Sequence, residues 1–179
     1  MKRGERALFY EVALPSFTKI LNAELSLRHL NFLTFDNFSC QQLELRDPTN
    51  KILRLLKKDE RSFREEGVPM GQTETGKIAE LVKRLKELKA ERYVALASPA
   101  NKSKYGLAKT ARTFVLIQSE WDNVARQENI LTRKLWLGHS ASKGLRYALL
   151  EGEDAILELK DAFVELMEKG FRSKIKEKN

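Results

Sequence analysis

The chain has 179 residues, and its content of 42% hydrophobic and 32% charged residues is ordinary for a globular protein. A single cysteine, Cys40, excludes an intramolecular disulfide, and the distant histidines His29 and His139 offer no set of metal ligands, so we expect no metal and no cofactor. The net charge of +8 favours anionic partners, either nucleic acid or an anionic surface, without choosing between them.

Short strand-like runs dominate the first part of the chain. The predicted strands cover residues 7–14, 40–46, 51–57 and 62–65. A short helical stripe up to Glu24 follows the first of them. Between the second and third strands, Asp47-Pro48-Thr49-Asn50 predicts a tight turn, because proline fixes φ and the Asp and Asn side chains suit turn geometry.

Residues 73–90 form the segment with the clearest helical period. Its apolar residues recur at i, i+3, i+4, i+7 and i+10, at Ile78, Leu81, Val82, Leu85 and Leu88. Thr73 or Thr75 is the predicted N-cap. Because strands flank this helix, its single apolar stripe predicts that it packs across one face of a sheet.

The rest of the chain again reads as short strands. They are predicted at residues 92–96, 112–119, 130–137, 145–150 and 155–159. Residues 98–107 are predicted as a loop with one helical turn, and the polar stretches 120–129 and 139–143 as plain loops. A closing helix begins after Asp161 and ends at Gly170. The fold class is therefore α+β, an antiparallel or mixed sheet of short strands with one main helix on a face and a short C-terminal helix.

The two ends of the chain resemble each other. Each reads strand, break, short helix and then an apolar residue before arginine, ending at Leu27-Arg28 and at Phe171-Arg172. We interpret residues 1–35 as the tail-like half-repeat of a preceding module and residues 36–179 as one complete module. On this interpretation the chain is a truncated or mis-started reading frame, with coincidence among common residue types as the alternative.

Several segments occur in an order found in one known family. They are FDNFSCQQLEL, the helix ending LKELKAERYV, then SKYGL, LWLG, GLRYALLEG and ILELKDAFVELM. The most specific pieces are residues 88–94 and Tyr105-Gly106-Leu107, supported by Leu137-Gly138 and Tyr147. In this order they resemble the domain-of-unknown-function 4340 family, over about residues 36–175, with the repeated ending extending the likeness to the first 35.

The resemblance implies a cellular location and associated proteins rather than an enzymatic reaction. Members of the family typically carry an N-terminal membrane anchor and place tandem modules outside the cytoplasm. Some accompany ABC-transporter components, including gliding-motility auxiliary proteins. The resemblance implies no enzyme activity, cofactor or catalytic residue.

No residue pattern supplies the parts of a catalytic site. A nucleophile needs an oriented base, but Cys40 lies in a predicted strand without a histidine nearby, and Ser140 and Ser142 are only sequence neighbours of His139. The stretch 138–144 lacks the Gly-Lys-Ser/Thr ending of a phosphate loop. We therefore expect no enzyme and name no catalytic, cofactor or metal residue.

Two groups of residues are candidates for contacts with a partner. The basic helix residues Lys83, Arg84 and Lys86 are interpreted mainly as a solvated face, since no aromatic residues are interleaved with them. Trp121, in a polar stretch, is the best candidate for an exposed contact, whereas Trp136 and Tyr147 are expected in the core or in cross-strand pairs. These three basic residues and Trp121 make up the predicted interaction surface.

Two functions remain open from the sequence. The first is a non-catalytic structural or interaction module of a membrane-associated, envelope-facing protein, linked to ABC-transporter components and membrane-protein partners. The second is a basic nucleic-acid-binding protein, on the strength of the +8 charge. No small-molecule substrate is indicated. With no apolar run of about 18 residues and no signal-peptide core, we expect a cytoplasmic chain if it is complete, and an anchored extracytoplasmic one if it is a fragment.

Overall fold

The computed structural model describes residues 24–59, 62–69, 71–108 and 111–172. These residues build one eight-stranded antiparallel sheet with three short helices. The strands are β1 (Cys40–Arg46), β2 (Ile52–Asp59), β3 (Ser62–Glu65), β4 (Ala90–Leu96), β5 (Arg112–Asp122), β6 (Gln127–Ser142), β7 (Leu145–Leu150) and β8 (Ala155–Lys160). The helices are α1 (Thr75–Lys86), α2 (Pro99–Lys104) and α3 (Ala162–Lys169). The strand order is β3-β2-β1-β5-β6-β7-β8-β4, so β3 and β4 are the edges.

One face of the sheet, here called the inner face, carries the main core. Strand register places apolar residues opposite one another on it, as in the pairs Leu43 with Leu116 and Phe114 with Leu135. Buried side chains of α1 and α3 belong to the same apolar cluster. The rings of Phe114 and Phe163, for example, meet edge to face with centroids 5.1 Å apart. Alternation along the strands therefore separates this core from the opposite, outer face.

The end of α3 is fixed to the β2–β3 hairpin by a buried carboxylate. Glu65, only 5% exposed, accepts a hydrogen bond from the backbone N–H of Phe171 at 2.9 Å. Its other oxygen lies 3.2 Å from the guanidinium of Arg54. Gly170 ends the helix with φ of 72°, and the Arg54 guanidinium lies 3.0 Å from the point where a Cβ would stand. Gly170 and the ion pair between Glu65 and Arg54 thus hold the last described residues against the sheet.

Residues 24–35 run along β4. The backbone N–H of Ala90 donates to the carbonyl of Leu30 at 2.8 Å, and Arg28 lies 2.6 Å from Asp154 in the β7–β8 turn. The hydrogen bond from Arg28 lowers the pKa of Asp154, so this ion pair persists at neutral pH and is lost only as the pH falls through that lowered pKa. The boundary predicted between residues 35 and 36 stays a prediction.

Two predicted loops are wrong. Residues 120–129 belong to a long hairpin in which β5 and β6 stay paired as far as Asp122 and Gln127. Residues 139–142 continue β6 and pair with β7 at Ser140 and Ser142. Both stretches are polar because most of their side chains face water, and a strand exposed in this way has the composition of a loop.

The predicted N-cap of the central helix is also wrong. Glu74 occupies the N-cap position, and its side chain makes no capping hydrogen bond. Thr73 instead forms an isolated antiparallel bridge with Arg172, while the N–H of Glu74 donates to the carbonyl of Phe171 at 2.6 Å. The helix ends at Lys86 rather than at residue 90, because Ala90 already begins β4.

Other predictions are confirmed or lie outside the described residues. The strands at residues 40–46, 62–65 and 145–150 have their predicted bounds, and Gly170 is the C-cap of the closing helix. The predicted strand at residues 7–14 and most of the short helix after it lie outside the described residues. Within the described ranges, no helix is long and apolar enough to cross a membrane.

Candidate functional site

A second, smaller apolar cluster lies on the outer face of the sheet. Leu107, Leu149 and Ile156 are buried in it. Tyr105, Trp136 and Tyr147 pack against these residues and remain partly exposed. The strand register explains the position of two rings, because Trp136 pairs with Leu149 on β7 and Tyr147 pairs with Glu158 on β8.

Two glycines bring the loop after α2 down onto β6. The carbonyl of Tyr105 accepts a hydrogen bond from the N–H of His139 at 3.0 Å. A Cβ at Gly138 would stand 2.2 Å from that carbonyl oxygen, so this position has no room for a side chain. Gly106 has φ of 71°, and the His139 ring lies 2.6 Å from the place of its missing Cβ. Tyr105-Gly106-Leu107 and Leu137-Gly138 therefore fit together in space.

Cations lie beside the exposed rings. Tyr105 and Tyr147 meet edge to face with centroids 4.6 Å apart. Lys102 Nζ stands 5.2 Å from the centre of the Trp136 ring, and Lys104 Nζ stands 5.2 Å from the centre of the Tyr105 ring. Each distance is within cation–π range, so that ring faces and ammonium groups alternate on this surface.

Arg92 completes the surface at the edge strand β4. Its guanidinium donates two hydrogen bonds of 2.9 Å to the two oxygens of Glu158, which is only 4% exposed. Arg92 itself is 69% exposed. The hydrogen bonds that Arg92 donates to the Glu158 carboxylate raise the pKa of Arg92. A buried carboxylate thus orients an exposed, permanently charged guanidinium.

We call these six residues the aromatic patch: Tyr105, Trp136, Tyr147, Arg92, Lys102 and Lys104. Half-buried rings offer apolar area at little cost in side-chain entropy, and the cations add attraction for acidic groups. No hydrogen bond within the described residues joins the His139 ring to a serine or a carboxylate. The arrangement of rings and cations suits binding to an acidic or planar surface.

The chain matches the family model described as "Domain of unknown function (DUF4340)" over residues 1–110 and again over residues 72–178. The chain belongs to the DUF4340 family. Two matches of one model agree in outline with an internal repeat, although the matched ranges overlap at residues 72–110. Three of the pieces that carried the resemblance of this DUF4340 chain lie together at the aromatic patch: Tyr105-Gly106-Leu107, Leu137-Gly138 and Tyr147.

Other comparisons add little about this DUF4340 chain. No curated protein matches it. A thioesterase-like protein from Clostridium sporogenes resembles it with 9% sequence identity and a TM-score of 0.40, covering 75% of this chain and 96% of that one. A likeness at this level carries no argument about activity.

The residues of the predicted interaction surface lie in two elements, α1 and β5. Lys83, Arg84 and Lys86 are exposed in the last turn of α1, where Arg84 pairs with Glu80 at 2.7 Å. Trp121 is 63% exposed near the end of β5. No hydrogen bond or ion pair of the described residues joins Trp121 to these three cations, and their binding role stays a prediction.

Sequence reasoning missed the aromatic patch as a unit. Trp136 and Tyr147 do lie in cross-strand pairs, as expected, but both keep an exposed side. The cations beside them come from α2, which was predicted only as a turn in a loop. The glycines of the Tyr-Gly-Leu and Leu-Gly pieces were the available signal, because a close approach of two backbones requires residues without a side chain.

Cys40 is not available as a nucleophile. Its side chain is fully buried in the main core, and burial raises the pKa of its thiol to about 12. At neutral pH the thiol is therefore protonated and inaccessible. The described residues also contain no group of three or more His, Cys, Asp or Glu side chains that could hold a metal ion.

Proposed function

We propose that this DUF4340 chain is a non-catalytic interaction module of a membrane-associated, envelope-facing protein, and that the aromatic patch is its docking surface. The observation that carries the proposal is the alternation of exposed rings and cations, with Lys102 and Lys104 each 5.2 Å from a ring centre. Interface centres are enriched in Tyr, Trp and Arg, the residue types that this patch presents beside its lysines.

The setting comes from the family. The resemblance implies tandem modules outside the cytoplasm that accompany ABC-transporter components, and these components are the proposed partners. A partner that offers carboxylates and an apolar surface would match both the cations and the rings of the aromatic patch. The exposed guanidinium of Arg92, held by Glu158, would pair with such a carboxylate in a fixed direction.

We also infer that α1 is the main cover of the inner face. Its residues Ile78, Leu81 and Leu85 are buried in the main apolar cluster together with inner-face residues such as Leu43 and Leu116. The inner face is then occupied by the chain's own helices. Among the described residues, α2 and its following loop cover the outer face in part, and we propose that the remainder of this face contacts a partner.

Charge reversal at the patch tests this proposal. Lys102→Glu together with Lys104→Glu is expected to reduce the amount of chain in the membrane fraction of the source cells on the order of tenfold, because each reversal replaces attraction for an acidic partner with like-charge repulsion. The matched control is Lys160→Glu with Lys169→Glu, two lysines that are 73% and 70% exposed elsewhere on the chain. Equal losses in both variants would mean that net charge matters and the patch does not.

A nucleic-acid-binding function is the second candidate, and one observation favours it. Rings interleaved with cations also suit single-stranded nucleic acid, whose bases stack while its phosphates pair. A titration with a single-stranded oligonucleotide, followed by tryptophan fluorescence at two salt concentrations, separates the candidates. Tight binding at physiological salt that weakens steeply as salt rises, and that is lost in the Lys102 and Lys104 variant, would replace the protein-docking proposal.

A further inference from the structure

The β5–β6 hairpin extends beyond the rest of the sheet. Its ladder runs from Arg112 opposite Leu137 to Asp122 opposite Gln127. On one side β1 pairs with β5 only as far as Gln118, and on the other β7 pairs with β6 only from Leu135. Residues 119–130, here called the arm, therefore have no third strand beside them among the described residues. A two-stranded hairpin of this kind is marginally stable in isolation.

Large apolar side chains are exposed on the arm and at its base. Trp121 is 63%, Val124 95% and Ile130 62% exposed. Trp121 lies opposite Glu128, so that Trp121 and Ile130 share the outer face of the arm. Phe38, 85% exposed, lies beside the base, where the N–H of Ser119 donates to the carbonyl of Ser39. Such a concentration of exposed apolar groups at one end marks a contact surface.

An apolar groove opens beside the same base. It has a volume of about 250 Å³ and lies between α1, β3 and Asn37. Its apolar lining is Phe63, Ile78, Ala79 and Val82. Phe63 and Ile78 belong to the inner-face cluster, whereas Trp121 points from the outer face. A chain therefore presents its arm and its groove on opposite sides of its own sheet.

The charges of the arm and of the groove are complementary. The arm carries Glu120, Asp122 and Glu128 against a single cation, Arg126, although the whole chain has a net charge of +8. Lys83 and Lys86 follow Ala79 and Val82 by one helical turn at the end of the groove, and both are exposed. An acidic arm disfavours nucleic acid and anionic lipid as its partner and favours a basic groove.

We infer that the occupant of this groove is the arm of a second copy of the chain. Trp121 of each copy enters the groove of the other, and Glu128, which shares the outer face of the arm with Trp121, approaches Lys83 and Lys86. The arm and the groove are different surfaces, so the assembly is a closed two-fold dimer when both contacts form within one pair, and light scattering distinguishes that dimer from a head-to-tail chain of larger mass. Trp and Phe bury about 150–250 Å² each, and Trp121 with Phe38 thus supplies a large part of the roughly 800 Å² per partner that a stable interface needs.

Light scattering across a concentration series of the whole chain tests this dimer. The expected mass approaches twice 20.6 kDa at micromolar concentration and above. Trp121→Ser is expected to raise the dissociation constant on the order of thirtyfold or more, as truncation of a central tryptophan does. The matched control is Leu27→Ser, an apolar residue 84% exposed away from this end, which is expected to leave the dissociation constant unchanged.

A charge exchange identifies the two surfaces that meet. Lys83→Glu with Lys86→Glu is expected to weaken the dimer, and Glu120→Lys with Glu128→Lys is expected to weaken it likewise. An equimolar mixture of the two variants should restore association, because in the mixed dimer both contacts join an arm and a groove of opposite charge. A mass of 20.6 kDa at every concentration, or a dimer that Trp121→Ser leaves intact, would overturn the inference.

Discussion

Gly138→Ala is expected to lower the free energy of unfolding by about 3 kcal/mol, the upper end for an overpacked site. The new Cβ would stand 2.2 Å from the carbonyl oxygen of Tyr105. The backbone at Tyr105 cannot move away without breaking the 3.0 Å hydrogen bond that the N–H of His139 donates to this carbonyl. Thermal unfolding measures the loss, at roughly 2–4 °C for each kcal/mol in a chain of this size. The aromatic patch should lose its arrangement as well, because Lys102 and Lys104 lie in α2, the helix that the Tyr105 loop anchors to β6.

Gly76→Ala is the matched control for this substitution. Gly76 lies in α1, and no atom comes within 4 Å of the place of its Cβ. The added methyl group is expected to leave stability unchanged or to raise it by up to about 1 kcal/mol, because alanine is the better helix former. If both variants unfolded at the wild-type temperature, the close contact between Tyr105 and Gly138 would be refuted.

Glu65→Ala should be the second large perturbation, with a loss of about 2–3 kcal/mol. The substitution leaves the N–H of Phe171 without an acceptor and Arg54 without its ion pair. Arg54 is 37% exposed and water can solvate it, which keeps the cost below that of a fully buried pair. Hydrogen exchange should show the extra opening at α3 and the residues after it.

Glu66→Ala is the control for the buried carboxylate. Glu66 is 51% exposed and pairs with Lys57 at 3.0 Å on the surface. Surface pairs of this kind contribute about 0–1 kcal/mol, so the variant should unfold close to the wild type. Equal destabilisation by both substitutions would show that the link from Glu65 to Phe171 does not hold the end of α3.

The sequence predicted most elements of the fold because their signals are local. Alternating apolar residues bounded by turn residues placed most of the strands, and the period of Ile78, Leu81 and Leu85 placed α1. The order of the strands in the sheet could not be predicted from the sequence. For example, β4 pairs with β8, which lies about 60 residues later in the chain. The pairing of distant strands depends on the whole sheet, and no local signal encodes it.

The features that were predicted wrongly or missed from the sequence share a physical cause. The polar stretch 120–129 was predicted as a loop because a hairpin arm with both faces in water has no buried face to impose alternation. The aromatic patch was missed for a related reason. Its cations come from β4 and α2, and its rings come from the loop after α2, from β6 and from β7, so that about 40 residues separate Tyr105 from Tyr147 in the sequence. Only the glycines that let these segments touch were visible in advance.

A photo-crosslinking amino acid in place of Lys104 tests most directly whether the aromatic patch docks a membrane protein. Lys104 is exposed beside the Tyr105 ring, and Lys169, 70% exposed at the end of α3, serves as the control position. After irradiation of the source cells, we expect one discrete crosslinked membrane protein from position 104 and none from position 169. The same products from both positions, or crosslinks from position 104 to nucleic acid alone, would contradict it.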